Sequence, residues 1–476
     1  MTTTASVGLR SERGPILLAL MVTTGLVAID ATILATAVPT IVADLGGFSK
    51  FPWLFSIYLL AQAVSVPVYA KLSDTLGRKP IILIGIGLFL IGSILCGLAW
   101  SMPALIAFRA VQGLGAGAIQ PMAITIAGDI YTVAERAKTQ GYLASVWAIS
   151  SVVGPSLGGI FAALDAWRWI FWINIPLCLL AAFLLLRSFH EKIERVRHRI
   201  DYAGAILLTV SLSLLILAVL EGGQAWAWNS WQSIGAFAVG GVLLLAFVLV
   251  EHRAAEPVLP LWVLSRRLLL TTSLIALATG ALLTGLTSYV PTYLEGSLRT
   301  SPLLAGLALA ALTLGWPIAA TVSGRWYLRY GFKRTVLAGL VIAILGAALI
   351  AALAATPSVM VIAIGCFIVG LGLGTSVTPA LIAAQSSVEW NERGVVTGTN
   401  MFARSIGSAV GVAIFGAIAN SVLAGSQSAP AITAASAAVF AAVVVVAIAS
   451  LVAAWFMPAT PVAVAVVEPV ETPVVE

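Results

Sequence analysis

Charge is scarce in this sequence. Only 9% of its 476 residues are Asp, Glu, Lys or Arg, whereas 60% are hydrophobic and the mean hydropathy is +1.06. A soluble domain carries about 25% charged and about 45–50% apolar residues. A chain this poor in charge could not give itself a polar surface, so a soluble globular protein is excluded. Cysteine and histidine are scarce as well, at three each. Cys96, Cys178 and Cys366 all lie in apolar runs, which argues against a disulfide framework and leaves them as small core residues. His190, His198 and His252 fall in polar connections, so no metal cluster is predicted. There is no GxxxxGK[ST] phosphate loop, and no extramembrane stretch is long enough to hold a nucleotide-binding domain. Neither ATP-driven transport nor an enzyme is predicted, and no cofactor is called for.

What is abundant is apolar sequence in runs of about 20 residues, the length that crosses a bilayer. Spans are predicted at 15–40, 51–71, 80–100, 103–128, 139–163, 168–188, 202–221, 232–251, 267–295, 302–325, 333–354, 357–386, 394–421 and 432–457. The chain therefore reads as an all-α polytopic membrane protein. Its first run is too long and too acidic for a cleaved signal peptide, so it is predicted to be retained.

Of the 25 Lys and Arg, Lys50, Arg168 and Arg299 fall in links on one side, Arg109 and Arg404 lie within spans, and all the others fall on the side of the amino terminus. Positive charge concentrates on the cytoplasmic side of membrane proteins. Both termini are accordingly predicted to be cytoplasmic. The net charge of +6 then faces anionic headgroups, and no nucleic-acid partner is needed to explain it. The end from Pro458 onward, rich in Pro, Val and Glu, reads as a disordered cytoplasmic tail.

Two inner loops repeat a pattern. AKLSDTLGRK (70–79) and GRWYLRYGFKR (324–334) each place a small residue seven positions before a Gly, with basic residues after it. One copy in each half suggests a duplicated six-helix bundle. The predicted organisation is a cytoplasmic segment 1–14, a first bundle 15–190, a linker 191–266 with two further spans, a second bundle 267–457 and the tail 458–476.

With these residues in hand, the chain resembles the major facilitator superfamily, and within it the fourteen-span drug:proton antiporters of the EmrB/QacA type. The likeness is carried by AIDATILATAVP (28–39), AKLSDTLGRK, LIAFRAVQGLGAGA (105–118), SSVVGPSLGG (150–159) and WRWIFWINIP (167–176). Ala70, Thr75 and Ser150 depart from the usual pattern. The resemblance implies a major facilitator fold of two six-helix bundles plus two extra helices. It also implies a cytoplasmic latch at Asp74, Gly77, Arg78 and Lys79, and a hinge-like bend at Gly154, Pro155, Gly158 and Gly159. For the last two groups the plain alternatives are positive-inside anchors and close helix packing.

The residues themselves point to a proton site. Asp30 is the only carboxylate well inside any span, and its insertion would cost about 2.5–3.5 kcal/mol in lipid. Arg109 is predicted at similar depth in the same bundle. Together they read either as a fixed ion pair or as a titrating carboxylate, with burial and the neighbouring guanidinium acting in opposite senses on whether a proton is held. Substrate-binding candidates are the polar and aromatic residues Tyr58, Gln62, Gln120, Trp147, Tyr289, Tyr293, Trp316, Gln385 and Asn400, with Arg404 as a second intramembrane charge. The predicted function is proton-coupled export of amphipathic or cationic drug-like compounds by a monomer in a bacterial plasma membrane. Its partners are that small substrate, protons and the lipid bilayer. The alternative is a dedicated exporter of an endogenous lipid, peptide or antibiotic; an importer or a non-transporting scaffold fits less well.

Overall fold

The computed structural model describes residues 8–46, 53–191, 201–222, 226–253, 262–300, 302–423 and 428–459. Among these residues it is helical throughout, apart from one isolated bridge between Gly222 and Trp226. The long helices are α1 (Gly14–Ile33), α2 (Trp53–Leu76), α3 (Arg78–Gly97), α4 (Met102–Ile130), α5 (Val133–Ala163), α6 (Trp169–Ser188, interrupted at Ile173), α7 (Tyr202–Glu221), α8 (Trp231–Glu251), α9 (Arg267–Leu298), α10 (Pro302–Tyr330), α11 (Phe332–Ala352), α12 (Val359–Ser386), α13 (Arg393–Leu423) and α14 (Ala429–Trp455). Twelve of them are long and apolar enough to cross a membrane, so the chain is a multi-pass membrane protein. The other two, α7 and α13, carry shorter apolar stretches at Ala203–Leu215 and Ile414–Leu423.

Local chemistry sets where these helices start and stop. Ser101, Ser230, Ser358 and Ser428 each accept a backbone N–H of the first turn of α4, α8, α12 and α14, which satisfies donors the helix leaves unpaired. Thr132 and Glu135 form a reciprocal capping box at the head of α5. Between α2 and α3, and again between α10 and α11, a single glycine makes the turn. Gly77 (φ 97°) and Gly331 (φ 83°) occupy backbone space that a Cβ disfavours. These are the glycines of the two repeated loops.

The first predicted span needs correction. It does not run as one helix over 15–40: α1 ends at Ile33, a 3₁₀ turn follows at Leu34–Ala37, and a new helix occupies Val38–Leu45. Pro39 has no N–H to continue the earlier ladder and instead stands in the first turn of the new helix. Asp44 on that helix accepts from Arg168 Nη1 (2.8 Å) and Trp167 Nε1 (3.0 Å), and these bonds hold its carboxyl below the usual carboxylate range. At the basic end, α2, α4, α5 and α10 extend past their apolar runs and carry Asp74, Asp129, Arg136 and Arg329 with them.

Helices α1–α6 enclose one core, around Leu20, Phe89, Met122 and Leu185. Helices α9–α14 enclose another, around Leu286, Tyr293, Ile350 and Phe440. The halves meet where α5 packs on α10 and α2 on α13. Helices α7 and α8 pair with each other and lie over the second seam, with Leu208, Leu212 and Phe247 against Leu60, Val64 and Phe402. Residues 1–7 of the predicted segment 1–14, residues 192–200, 223–225 and 254–261 of the predicted linker, and the tail from residue 460 lie outside the described residues.

Candidate functional site

Asp30 is 1% exposed, and five helices converge on it. Its Oδ2 accepts from Arg109 Nη1 at 2.7 Å, and its Oδ1 accepts from Gln112 Nε2 at 2.8 Å and Asn174 Nδ2 at 3.3 Å. Arg109 also donates to Gln112 Oε1 (2.6 Å) and to the Leu54 carbonyl (3.2 Å), and its guanidinium lies 4.1 Å over the Tyr58 ring. Ser93 Oγ accepts from both Gln112 and Asn174. Every group with a hydrogen bond to the carboxyl donates to it. Each charge alone would be severely penalised here, and together they are tolerable because the remaining lone pairs and N–H groups also find partners. The site depends on close helix approach: a Cβ on Gly92 would stand 2.6 Å from the Gln112 backbone.

A second polar cluster closes the basic end between the halves. Asp74 Oδ1 and Oδ2 accept the backbone N–H groups of Gly394 and Val395, at 3.0 and 2.7 Å, capping α13 from another helix. Arg78 is fully buried. It pairs with Asp74 (2.8 Å) and Asp129 (3.0 Å), donates to the carbonyls of Ser73 and Trp390, and lies 3.9 Å over the Trp390 ring. Arg393 pairs with Asp129 at 3.1 Å, and Arg136 donates to Ser386. Tyr327 donates its hydroxyl to the Val133 carbonyl. Lys79 stays within the first half, donating to Leu186 and Phe189 carbonyls. Among the described residues, the cross-half hydrogen bond farthest from this end joins Ser151 to Thr313 (3.2 Å).

The hinge-like motif lies inside α5, which runs unbroken from Val133 to Ala163 through Pro155 and Gly158. A Cβ on Gly154 would collide with Thr32 of α1, whereas one on Gly159 would meet nothing within 4 Å.

The substrate-binding candidates separate by surroundings. Tyr58 belongs to the Arg109 cluster. Tyr293 is enclosed in the core of the second half, donating to the Ala354 carbonyl; Gln385 is buried against Thr397; Asn400 donates to the Thr272 carbonyl. None of these four faces an open surface. Gln62, Gln120, Trp147, Tyr289, Trp316 and Arg404 are half-buried. Gln62 and Gln120 touch each other (3.4 Å), and Tyr289 donates to the Phe415 carbonyl.

Sequence reasoning did not single out Ser93, Asn174, Asp129, Trp390 or Arg393. Ser93 and Asn174 are isolated polar residues in apolar runs, a signal that was available, but nothing local says that Asn174 reaches the Asp30 carboxylate or that Ser93 accepts from Asn174 and Gln112 beside it. Trp390 and Arg393 sit in a polar loop where such residues are ordinary.

Residues 20–412 match the Major Facilitator Superfamily. The chain is 37% identical over 395 residues to Multidrug resistance protein 3 of Bacillus subtilis, covering 83% of this chain and 77% of that one. It is 33% identical over 413 residues to the Multidrug transporter protein MdtP of the same organism, covering 87% and 76%. In fold it is similar to the human organic anion transporter MFSD10, with a TM-score of 0.67 at 16% identity, covering 93% of this chain and 99% of that one.

Proposed function

The chain belongs to the Major Facilitator Superfamily, and we propose that it is a fourteen-span proton antiporter exporting amphipathic drug-like compounds across a bacterial plasma membrane. In this reading α7 and α13 also cross the bilayer, both termini are cytoplasmic, and the basic end is the inner one. Support for export comes from relatives named for multidrug resistance and transport. Support for proton coupling comes from one observation: a sealed carboxylate, Asp30, whose charge is balanced by Arg109.

The chemistry follows from that pair. With the inner end closed, cargo leaves and a proton enters from outside. Once Asp30 is neutral it no longer offsets Arg109, so the bonds tying α1 to α4 weaken and the halves can rock about their seams. Asp74 and Arg78 then release α13, cargo enters from the cytoplasm, and Asp30 returns its proton there. One charge crossing a 100 mV potential supplies about 2.3 kcal/mol. A pH gradient adds to this.

The test is proton movement in inverted membrane vesicles. Adding an exported amphipathic dye to energised vesicles should dissipate the pH gradient in proportion to dye uptake. Dye uptake with no accompanying proton movement would overturn antiport, and a lack of uptake of any of a broad biocide panel would overturn export.

A further inference from the structure

We infer that the membrane-depth interior between the two halves is an anion-recognising site built on Arg404, and that its ligands are amphipathic acids such as arylcarboxylates. The inference rests on the transport reading above and narrows its cargo, replacing the broad amphipathic or cationic range with compounds that carry a negative head.

Arg404 lies eleven residues into α13 from Arg393, about 16 Å along the axis. The direction it points in follows from the helix period. Gly398 and Phe402 face α2, where a Cβ on Gly398 would meet Ala70 and where Phe402 packs on Leu60. Asn400, Gly407 and Gly411 face α9. Val410 and Ile414 are exposed on the outer side. At about 100° per residue, Arg404 falls between the α9 and α2 faces, nearer the α9 face, on the arc that does not hold Val410 and Ile414. Thr397, whose hydroxyl accepts from Gln385 of α12, shares that side. Arg404 therefore points into the protein and not toward lipid. Its backbone is fixed, because Gly280 of α9 packs directly on its carbonyl and Ser408 donates to the Gly280 carbonyl at 3.2 Å.

Among the described residues the Arg404 side chain makes no hydrogen bond and no ion pair, although it keeps part of its surface accessible. The sequence offers it no partner. The only acids from Arg267 to Met457 are Glu295, Glu389 and Glu392, all near helix ends, and Glu392 lies 3.8 Å from Arg266 at the basic end. In the first half the one acid at depth is Asp30, already held by Arg109, Gln112 and Asn174. An arginine cannot shed its charge, and an uncompensated one at membrane depth costs about 2.5–3.5 kcal/mol or more. A transporter can meet that cost with a counter-charge that comes and goes, which is its cargo. A cationic ligand would be repelled by the same guanidinium. The apolar remainder of such an acid follows from the amphipathic cargo of the transport reading.

The test is equilibrium binding to the purified full-length protein, using three tritiated probes of one shape: 1-naphthylacetate, its primary amide and 1-naphthylethylamine. Wild type should bind the acid about tenfold or more tighter than the amide, with the amine weakest. Arg404→Gln should bind acid and amide alike, and its retained amide binding reports a folded protein. Arg404→Lys should keep a preference for the acid. An unchanged acid-to-amide ratio in Arg404→Gln, an amine bound as tightly as the acid, or saturable binding of none of the three by wild type would each overturn the proposal. Because binding is read without a gradient, acid recognition through Arg404 in a protein that moves no protons would overturn antiport and leave this inference standing.

Discussion

Asp74, three residues before the turn glycine Gly77, caps a helix in the other half of the molecule: it accepts the N–H of Gly394 at 3.0 Å and that of Val395 at 2.7 Å. This makes one carboxylate both a helix cap and an inter-half lock. Arg78, held between Asp74 and Asp129, keeps that carboxylate aimed.

Asp74→Ala should therefore open the basic end. The lost cap alone weakens the closed arrangement by about 0.5–2 kcal/mol, and Arg78 loses a buried partner as well. Spin labels at the exposed positions Leu76 and Glu389 would read the change as a longer, broader distance distribution than in the otherwise wild-type protein. The three native cysteines are buried and can stay in place. An unchanged distribution would show that the cap does not hold the halves together.

Arg109→Met should destabilise the protein by about 3–5 kcal/mol, because it leaves Asp30 buried without its counter-ion. Adding Asp30→Asn to that variant should recover part of the loss, since the stranded charge goes too. Denaturant unfolding of the single and double variants gives the coupling. Strictly additive losses would mean that the two residues do not act as a pair.

The glycines of α5 should behave differently from one another. Gly159→Ala places a methyl in open space and should leave stability and transport unchanged or slightly improve the helix. Gly154→Ala drives a methyl against Thr32, whose hydroxyl is committed to the carbonyls of Ala28 and Ser150, and should cost about 1–3 kcal/mol by forcing α1 and α5 apart. Thermal unfolding of both variants in detergent would settle the contrast. Equal losses would point to a bending role shared along the motif instead of one tight contact.

Some of these contacts are written in local sequence and others only in the packing. The helices were legible because a bilayer demands about 20 apolar residues of each, and the matching turns at Gly77 and Gly331 were visible as a repeated loop. Asp30 and Arg109 stood out because charge is conspicuous in apolar sequence. The break after Ile33 was less visible, since Pro39 fits the start of a new helix as well as the end of an old one. Asn174 reaches Asp30, Ser93 meets Asn174, and Asp74 reaches Gly394, across 81 or more positions of intervening chain and only through packing. Tyr58 and Arg404 show the limit most plainly: as sequence they were alike, polar groups in apolar spans, and only the fold separates a ring covering Arg109 from a guanidinium left facing the interior.

The central claim is that Asp30 carries the transported proton. Reconstituted liposomes test it by comparing two activities of Asp30→Asn: downhill exchange of labelled substrate, and uphill accumulation driven by an imposed pH gradient. Exchange should persist, since the amide can still be bonded by Gln112 and Asn174, whereas uphill accumulation should vanish. Accumulation undiminished in Asp30→Asn would contradict the account.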